Sequence, residues 1–438
     1  MMRFIFVLFL NLTVCVGLSA KDVITINNRL DLRGDTLKLK KGTVVRFADD
    51  GIIVNGMVIG DSSEILAAKR QIFGENVTIG GTWHNKSVYG QWMGLQENAD
   101  NTQQFRNLLV LCTGDNMTHL YTSSGIYPVH AIYNSAPLLF PSNVYWHNLS
   151  TIRILPCSYT HYSIVLLHRV KNVTIDGGSF VGDVNGHIGI EGEWGHGIKC
   201  GGSTNITLKN LTCSYCWGDG IDLIEGRDNM NQPTIVCNKI TIDNVKCLHN
   251  RRQGMSIEAA HNVKVSNSEF AYTGHPFMTK PAAGLDIEEW NADGHKMNYL
   301  TFKNCTFHNN VGFDMQSEPN WKMGREEYRK FKNNISFELC NMDSCRVTYT
   351  NGISFTDCTI QDMCVHFSND VSFNNCKIEK LIKSKNDSAV KITSCKGKAF
   401  LSSYALPMGF VGMPTIIGLV LFAYKYYINE NDRHYNNS

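Results

Sequence analysis

The chain has 438 residues, of which 43% are hydrophobic and 18% charged, and its formal net charge is +2. This composition allows a large globular core, and the near-neutral charge gives no indication of nucleic acid or of a strongly charged partner surface. Glycine (37) far outnumbers proline (10), which favours a turn-rich all-β protein over a helical one.

Residues 1–20 have the order of a signal peptide. Arg3 precedes the apolar run 4–10, and small residues end the segment at Ser19 and Ala20. A basic start, an apolar centre and a small-residue cleavage site predict export, so we expect a secreted, periplasmic or cell-surface protein.

The segment 21–140 is predicted to hold N-terminal strands and a capping region. Within it, Asp100, Asn101 and Thr102 precede apolar residues at helical spacing, including Phe105 and Leu108. Asn and Thr accept hydrogen bonds at helix starts, so a short helix is predicted here.

Residues 141–400 contain a nine-residue pattern in which apolar and polar positions alternate. Clear copies start at Asn172, Asn205, Lys239, Asn262, Tyr299, Asn334, Gly352, Asp370 and Ala389. Alternation with period two predicts strands with one buried face. The closest starts are separated by about the 20 residues that one coil of a solenoid needs, and longer separations predict inserted loops.

Two residue ladders accompany these repeats. One pattern position holds Asn210, Asn244, Asn267, Asn304 and Asn375, and the next holds Cys305, Cys340, Cys358, Cys376 and Cys395. Asn tolerates a left-handed backbone and bonds to the next copy, so stacked turns are expected. The cysteines are interpreted as an inward stack of small apolar thiols. The pair Cys213 and Cys216 lacks a second pair at zinc-finger spacing, so no metal site is predicted from the cysteines.

A second strand follows several repeats and begins with glycine, as in Gly220-Ile-Asp-Leu, Gly254-Met-Ser-Ile and Gly284-Leu-Asp-Ile. These strands, the ladders and the signal peptide resemble the pectate-lyase-like superfamily, which includes polysaccharide lyases and polygalacturonase-type glycoside hydrolases. The resemblance implies an all-β fold, a single-stranded right-handed parallel β-helix with a short N-terminal capping helix. It also implies a polysaccharide as partner, with no nucleic acid.

Aligned on their glycines, the second strands place polar residues in outward rows. One row reads Lys199, Asp222, Ser256, Asp286 and Asp314, and the row two residues later contains Glu258 and Glu288. Neighbouring coils lie about 4.8 Å apart, so these carboxylates should share one surface with Arg251 and Arg252. Clustered carboxylates need cations nearby, or their pKa values rise, which is typical of a functional site.

Loops inserted on both sides of this strand predict a groove. Trp290 and Trp321 are expected at its margins, where aromatic faces stack on sugar rings. Glu258, Glu288, Asp314 and the two tryptophans are interpreted as residues that contact a glycan.

Two reactions remain open. Hydrolysis would use Asp222 and Asp286, and Asp219 matches a catalytic aspartate of polygalacturonases, although the paired aspartates and Gly-His-Gly of that family are absent. Elimination would use Arg251 or Arg252 as the base, with carboxylates that could hold calcium. We therefore expect an exported polysaccharide-cleaving enzyme, with a non-catalytic glycan-binding or structural surface β-helix as the alternative and an epimerase or other glycan chemistry as a third option.

Residues 401–438 contain an apolar segment and a polar tail. No charged residue occurs over 405–424, which is long enough to span a bilayer. The segment predicts a membrane anchor, and the alternative is an apolar cover for the end of the solenoid. A monomer is expected.

Overall fold

The computed structural model describes residues 22–74, 76–227, 234–289, 297–318, 332–383, 390–397 and 399–402. The predicted signal peptide and the segment 405–424 lie outside the described residues. Within the described part, no helix is long and apolar enough to cross a membrane.

The first strands of the described chain form small parallel pairings. They are β1 (Val23–Ile26), β2 (Arg29–Asp31), β3 (Thr36–Lys38), β4 (Val44–Phe47), β5 (Ile52–Val54), β6 (Gly56–Leu66) and β7 (Val77–Trp83). The long strand β6 pairs with β3, β4 and β7, whereas β2 pairs with β5.

The remaining strands stack on three faces, and we call the first the back face. It is a parallel sheet of twelve strands. These are β8 (Ser87–Tyr89), β9 (Thr118–Thr122), β12 (Val144–Asn148), β15 (Lys171–Asp176), β18 (Thr204–Lys209), β21 (Cys237–Asp243), β24 (Ala260–Ser266), β27 (Met297–Lys303), β30 (Ile335–Glu338), β32 (Asn351–Thr356), β34 (Asn369–Asn374) and β36 (Val390–Thr393).

The second face consists of short strands, mostly of three residues. They are β10 (Ile126–Val129), β13 (Thr151–Ile154), β16 (Ser179–Val181), β19 (Thr212–Ser214), β22 (Lys246–Leu248), β25 (Glu269–Ala271) and β28 (Thr306–His308). Each pairs in parallel with the next along this face.

The third face carries the predicted site, and we call it the groove face. Its strands are β11 (Leu138–Leu139), β14 (His161–His168), β17 (Trp194–Gly201), β20 (Asp219–Ile224), β23 (Gln253–Ile257), β26 (Ala283–Ile287) and β29 (Met315–Ser317). From β31 (Asn341–Thr348) onward, one long strand serves both faces, followed by β33 (Thr359–His366), β35 (Lys377–Lys383) and β37 (Ala399–Ser402). The parallel β-helix predicted from the repeats is confirmed.

Within the described residues, two helical segments accompany the strands. One is a 3-10 helix (Gly90–Met93), and the other is α1 (Thr102–Val110), close to the predicted position. The helix α1 buries Phe105, Leu108 and Leu109 and contacts β7 and β11. Its role as a cap of the solenoid stays a prediction.

The predicted ladders have the backbone conformation and the burial expected for their residue types. The backbone is left-handed at Asn210, Asn244 and Asn304, with φ between 52° and 56°, and Asn244 donates to Asn210 at 2.9 Å. Inside the coil, Phe302 stacks on Phe337 with ring centroids 4.6 Å apart. The ladder cysteines Cys305, Cys340, Cys358 and Cys376 are buried free thiols. Identical side chains therefore stack from coil to coil beside the back-face strands and inside the solenoid.

Candidate functional site

The strand register of the groove face places one polar row side by side. Successive coils align Lys199, Asp222, Ser256, Asp286, Gln316 and Arg346. Asp222 and Asp286 therefore lie two coils apart on one row, as the repeat alignment predicted.

The predicted place of Asp314 in this row is wrong. Leu285 pairs with Met315 and Asp286 with Gln316, so the coil is shifted by two residues relative to the glycine alignment. Asp314 instead accepts hydrogen bonds from the backbone N–H groups of Asp343 (3.0 Å) and Ser344 (2.8 Å). Its carboxylate joins two neighbouring coils.

A glycine explains why one short strand presents two carboxylates to the same region. A Cβ atom at Gly220 would lie 2.6 Å from the carbonyl oxygen of Gly254 and 3.0 Å from the sulfur of Cys247, so this position faces the interior. Asp219 and Asp222 flank it, and both reach the imidazole of His196 on the preceding coil. A side chain at Gly220 would disturb the spacing of the two carboxylates.

His196 lies between the two aspartates. The backbone N–H of Asp219 donates to Nδ1 at 3.2 Å, so Nδ1 is an acceptor and the proton of the neutral ring is on Nε2. That Nε2 is 3.7 Å from Oδ2 of Asp222. Burial, with Lys199 and Arg252 nearby, lowers the pKa of His196 well below 6.5. The ring is therefore neutral, and its buried Nε2 faces Asp222 without a hydrogen-bond partner among the described residues.

Asp219 is fully buried and strongly held. Arg252 Nη1 donates to its two carboxylate oxygens at 3.0 and 3.3 Å, and the Ser256 hydroxyl donates at 2.8 Å. Burial nevertheless raises the pKa of Asp219 to about 7, against the opposing effect of Arg252. The residue predicted by family resemblance thus titrates near neutral pH.

Asp222 is also buried, but it has fewer hydrogen-bond partners than Asp219. Lys199 Nζ lies 3.7 Å from Oδ2, whereas Oδ1 has no hydrogen-bond partner among the described residues. Burial raises the pKa of Asp222, and Lys199 and Arg252 oppose that rise. An oxygen that lacks a donor inside the protein can accept one from a ligand or water.

The remaining predicted carboxylates extend the cluster across the next two coils. Asp286 accepts a hydrogen bond from Gln253 Nε2 at 2.8 Å, while Glu258 and Glu288 are half-buried one position beyond the strands β23 and β26. Burial raises the pKa of Glu258 well above 4.5, and the carboxylate of Asp222 raises it further. The cluster therefore has a buried layer and a half-exposed layer.

The two adjacent arginines separate into different environments. Arg252 faces Asp219, but Arg251 turns to the loop formed by residues 183–193, where it donates to the carbonyls of Gly192 (2.6 Å) and Ile190 (2.9 Å). Its guanidinium also lies 3.8 Å from the ring centre of Trp217. The structure does not bring Arg251 to the carboxylates. Trp290 and Trp321 lie outside the described residues.

Sequence reasoning missed an ion pair on the same face. Arg346, almost completely buried, contacts Glu318 Oε2 at 2.8 Å and donates to Gln316 at 3.1 Å. The glycine alignment is displaced by two residues at this coil, so it did not bring Gln316 and Glu318 beside Arg346. Lys199 belonged to the predicted polar row, whereas His196 was not among the predicted site residues.

The calcium option is not supported by the described carboxylates. The carboxylate of Asp219 already accepts hydrogen bonds from Arg252 and Ser256, and cationic side chains already face Asp222 and Glu318. In the described part of the chain, no three of the groove's carboxylates converge their oxygens as a metal site requires.

The surface beside the cluster is open and partly aromatic. A cavity of about 340 Å³ is lined by residues that include His161, Trp194 and Lys199. The rings of His161 and Trp194 stack with centroids 4.2 Å apart, and Trp194 is 39% exposed. An exposed indole next to a charged cluster is suited to a sugar ring.

Comparisons with known proteins give two uncharacterized relatives and no family. No protein-family model matches the chain. From Bacillus subtilis (strain 168), the SPbeta prophage-derived uncharacterized protein YorA is 28% identical over 174 residues, and the uncharacterized protein YclG is 25% identical over 232. These matches cover 37% and 49% of this chain and 29% and 40% of the relatives, so the chain matches less than half of each relative's length.

Among solved structures, the A-module of the mannuronan C-5 epimerase AlgE4 from Azotobacter vinelandii is similar to this chain. It is 10% identical, covers 72% of this chain and 99% of its own, and has a TM-score of 0.49. The function therefore has to be argued from the residues of this chain itself.

Proposed function

We propose that the chain is an exported polysaccharide-cleaving enzyme that acts on the groove face, and that hydrolysis is its reaction. The observation that carries this proposal is the pair Asp222 and Glu258. Both have raised pKa values, Glu258 is half-exposed, and Asp222 keeps one oxygen without a hydrogen-bond partner among the described residues.

The pair separates into an acid and a base through its surroundings. Lys199 and Arg252 favour the ionised form of Asp222, whereas Glu258 is half-buried beside that negative charge and holds its proton to higher pH. Two carboxyl groups whose pKa values are pushed apart by their environments are the usual arrangement for glycoside hydrolysis.

In the proposed step, Glu258 donates its proton to the glycosidic oxygen as the bond to the anomeric carbon breaks. Asp222 takes a proton from the water that attacks this carbon, so one sugar leaves as the alcohol and the other gains the hydroxyl. The Cα atoms of Asp222 and Glu258 lie about 8 Å apart by strand spacing, because the two residues are separated by one coil and by two positions along the strand. Asp286, Glu288 and Trp194 would contact flanking sugars.

The described contacts favour hydrolysis over elimination. A lyase needs an available base next to a uronate, and the two arginines were the predicted bases. Arg251 is bonded to loop carbonyls and Arg252 is paired with Asp219. Neither guanidinium is therefore presented as a base in this arrangement.

The test is an assay of the purified chain on a panel of uronate-containing and neutral polysaccharides. New reducing ends without the ultraviolet absorbance of an unsaturated uronate would support hydrolysis, whereas appearance of that absorbance would overturn it. Asp222→Asn and Glu258→Gln should each lower turnover by about 10²–10⁴-fold. Asp357→Asn is the matched control, because Asp357 occupies a back-face ladder position that holds Asn in other coils.

A non-catalytic glycan-binding solenoid is the second candidate. It is favoured by the pairing of buried Asp219 with Arg252 and of Glu318 with Arg346, since such pairs also join coils structurally. Retention of a polysaccharide without any product, unchanged in Asp222→Asn, would select this function and exclude the enzyme.

A further inference from the structure

Three side chains with different ligand atoms converge at the base of the 183–193 loop, away from the groove carboxylates. They are Cys157, which follows β13, Asp183, which follows β16, and His187 within the loop. Their ligand atoms all lie within 4.8 Å of one another. Neither their spacing in the sequence nor the Cys213–Cys216 pair indicated this cluster.

The cluster is compact and largely shielded from solvent. Asp183 Oδ2 lies 2.9 Å from His187 Nδ1 and 3.3 Å from Cys157 Sγ, and the side chains of Asp183 and His187 are at most 1% exposed. The Tyr162 hydroxyl donates to the other oxygen of Asp183. His187 is also stacked on Trp217, with centroids 3.7 Å apart, so its ring orientation is set by packing.

We propose that Cys157, Asp183 and His187 form a zinc site. Sulfur, imidazole nitrogen and carboxylate oxygen are the three donor types that zinc takes in proteins, usually in a tetrahedron. Calcium and magnesium prefer oxygen ligands alone, so a site with one sulfur and one nitrogen disfavours them. Zinc binding releases the proton of the Cys157 thiol to solvent, the neutral His187 ring binds through one nitrogen and keeps its proton on the other, and a water completes four ligands.

The surrounding residues supply what such a site needs. The Tyr162 hydroxyl fixes the carboxylate of Asp183, which is the role that outer hydrogen-bond partners have around bound metals. Cys157 is only half-buried, unlike the other two ligands, so an ion has a route of entry.

Zinc at this position would fasten the loop that borders the groove. Beyond His187, the loop is held by Trp217 Nε1, which donates to the carbonyl of Glu191 at 3.1 Å, and by Arg251. The loop then brings the Glu193 carboxylate to 3.8 Å from Arg252, the partner of Asp219. The zinc site does not depend on the proposed hydrolysis, because its ligands are not groove residues.

The experiment titrates zinc, and separately cobalt as a spectroscopic probe, into chelator-treated full-length protein. We expect one equivalent of zinc per chain, and for cobalt a tetrahedral visible spectrum with a thiolate-to-metal charge-transfer band. Cys157→Ser and His187→Gln should each weaken binding by at least about 10-fold. Cys395→Ser is the matched control, because Cys395 is also half-buried but does not belong to the cluster.

A second measurement follows cleavage of the 183–193 loop by a protease. Zinc should slow this cleavage in the wild-type protein and in Cys395→Ser, but not in Cys157→Ser or His187→Gln. Absence of binding, or binding that both ligand variants leave unchanged, would overturn the proposal and identify the cluster as a hydrogen-bonded loop contact only. Circular dichroism of each variant checks that the solenoid is intact.

Discussion

The imidazole Nε2 of His196 lies 3.7 Å from the carboxylate of Asp222, and the two side chains are 2% and 3% exposed. They come from adjacent coils, so a neutral ring separates Asp222 from Asp219 at the centre of the cluster. The charge state of this ring has a measurable consequence for stability.

Acid should destabilise the protein through His196. Because burial holds the folded-state pKa of His196 well below 6.5, the unfolded chain binds this proton first as the pH falls. The stability from the neutral ring is present above pH 6.5 and is lost as the pH falls toward the folded-state pKa. Urea unfolding of wild type and His196→Gln between neutral and acidic pH should show a steeper loss in the wild type. Parallel pH curves would contradict this assignment.

Asp314 should matter for stability and not for glycan contact. Asp314→Ala removes the acceptor of the backbone N–H groups of Asp343 and Ser344, so we expect a loss of about 2–4 kcal/mol in the free energy of unfolding. Chemical denaturation measures the loss, and glycan binding of the folded variant should be unchanged. Weakened binding with normal stability would instead return Asp314 to the substrate-binding residues.

Arg251 should hold the 183–193 loop. Arg251→Ala removes the hydrogen bonds to Ile190 and Gly192 and the contact with Trp217, so protease cleavage in this loop should become faster by about 10-fold, the equivalent of 1.4 kcal/mol. Mass spectrometry of timed digests identifies the cleavage sites. Arg153→Ala, an exposed arginine on β13, is the control and should leave the cleavage rate unchanged. If the proposed enzyme is active, an abolished chemical step in the folded variant would argue for a catalytic Arg251.

The buried pair Arg346–Glu318 should contribute more than an exposed one. Arg346→Met leaves the carboxylate of Glu318 without this cation, and we expect a loss of about 3–5 kcal/mol in the free energy of unfolding. Lys303→Met breaks the exposed pair with Glu338 and should cost less than about 1 kcal/mol. Thermal and urea unfolding of both variants measure the difference. Equal losses would mean that burial does not strengthen the interaction at Arg346.

Much of the fold could be predicted from the sequence because each coil of a solenoid repeats the same pattern of buried, exposed and turn residues. Period-two alternation identified the strands, and the asparagine ladder marked turns whose backbone is indeed left-handed at Asn210 and Asn244. The helix near Thr102 was also predicted, although its first residues cap differently from the expectation: Asn101 makes no side-chain capping bond, and Asp100 accepts from the Thr102 N–H instead.

The candidate site could be predicted from the sequence only where the glycine alignment gave the correct strand register. Asp222 and Asp286 were placed on one row because each follows its glycine at the same distance. The same rule failed one coil after Asp286, where the strand register is displaced by two residues, and so Asp314 was included in the row while Gln316, Glu318 and Arg346 were missed.

The sequence by itself determined the repeating strands, the inward thiols and the presence of a polar row, because these follow from alternation and residue type in each coil. Tertiary structure alone decided which neighbours meet: His196 between two aspartates, Arg252 toward the groove, Arg251 toward the loop, and Cys157 beside Asp183 and His187. The physical reason is that loop lengths and register shifts between coils decide which side chains meet. The periodicity within a single coil contains no information about either.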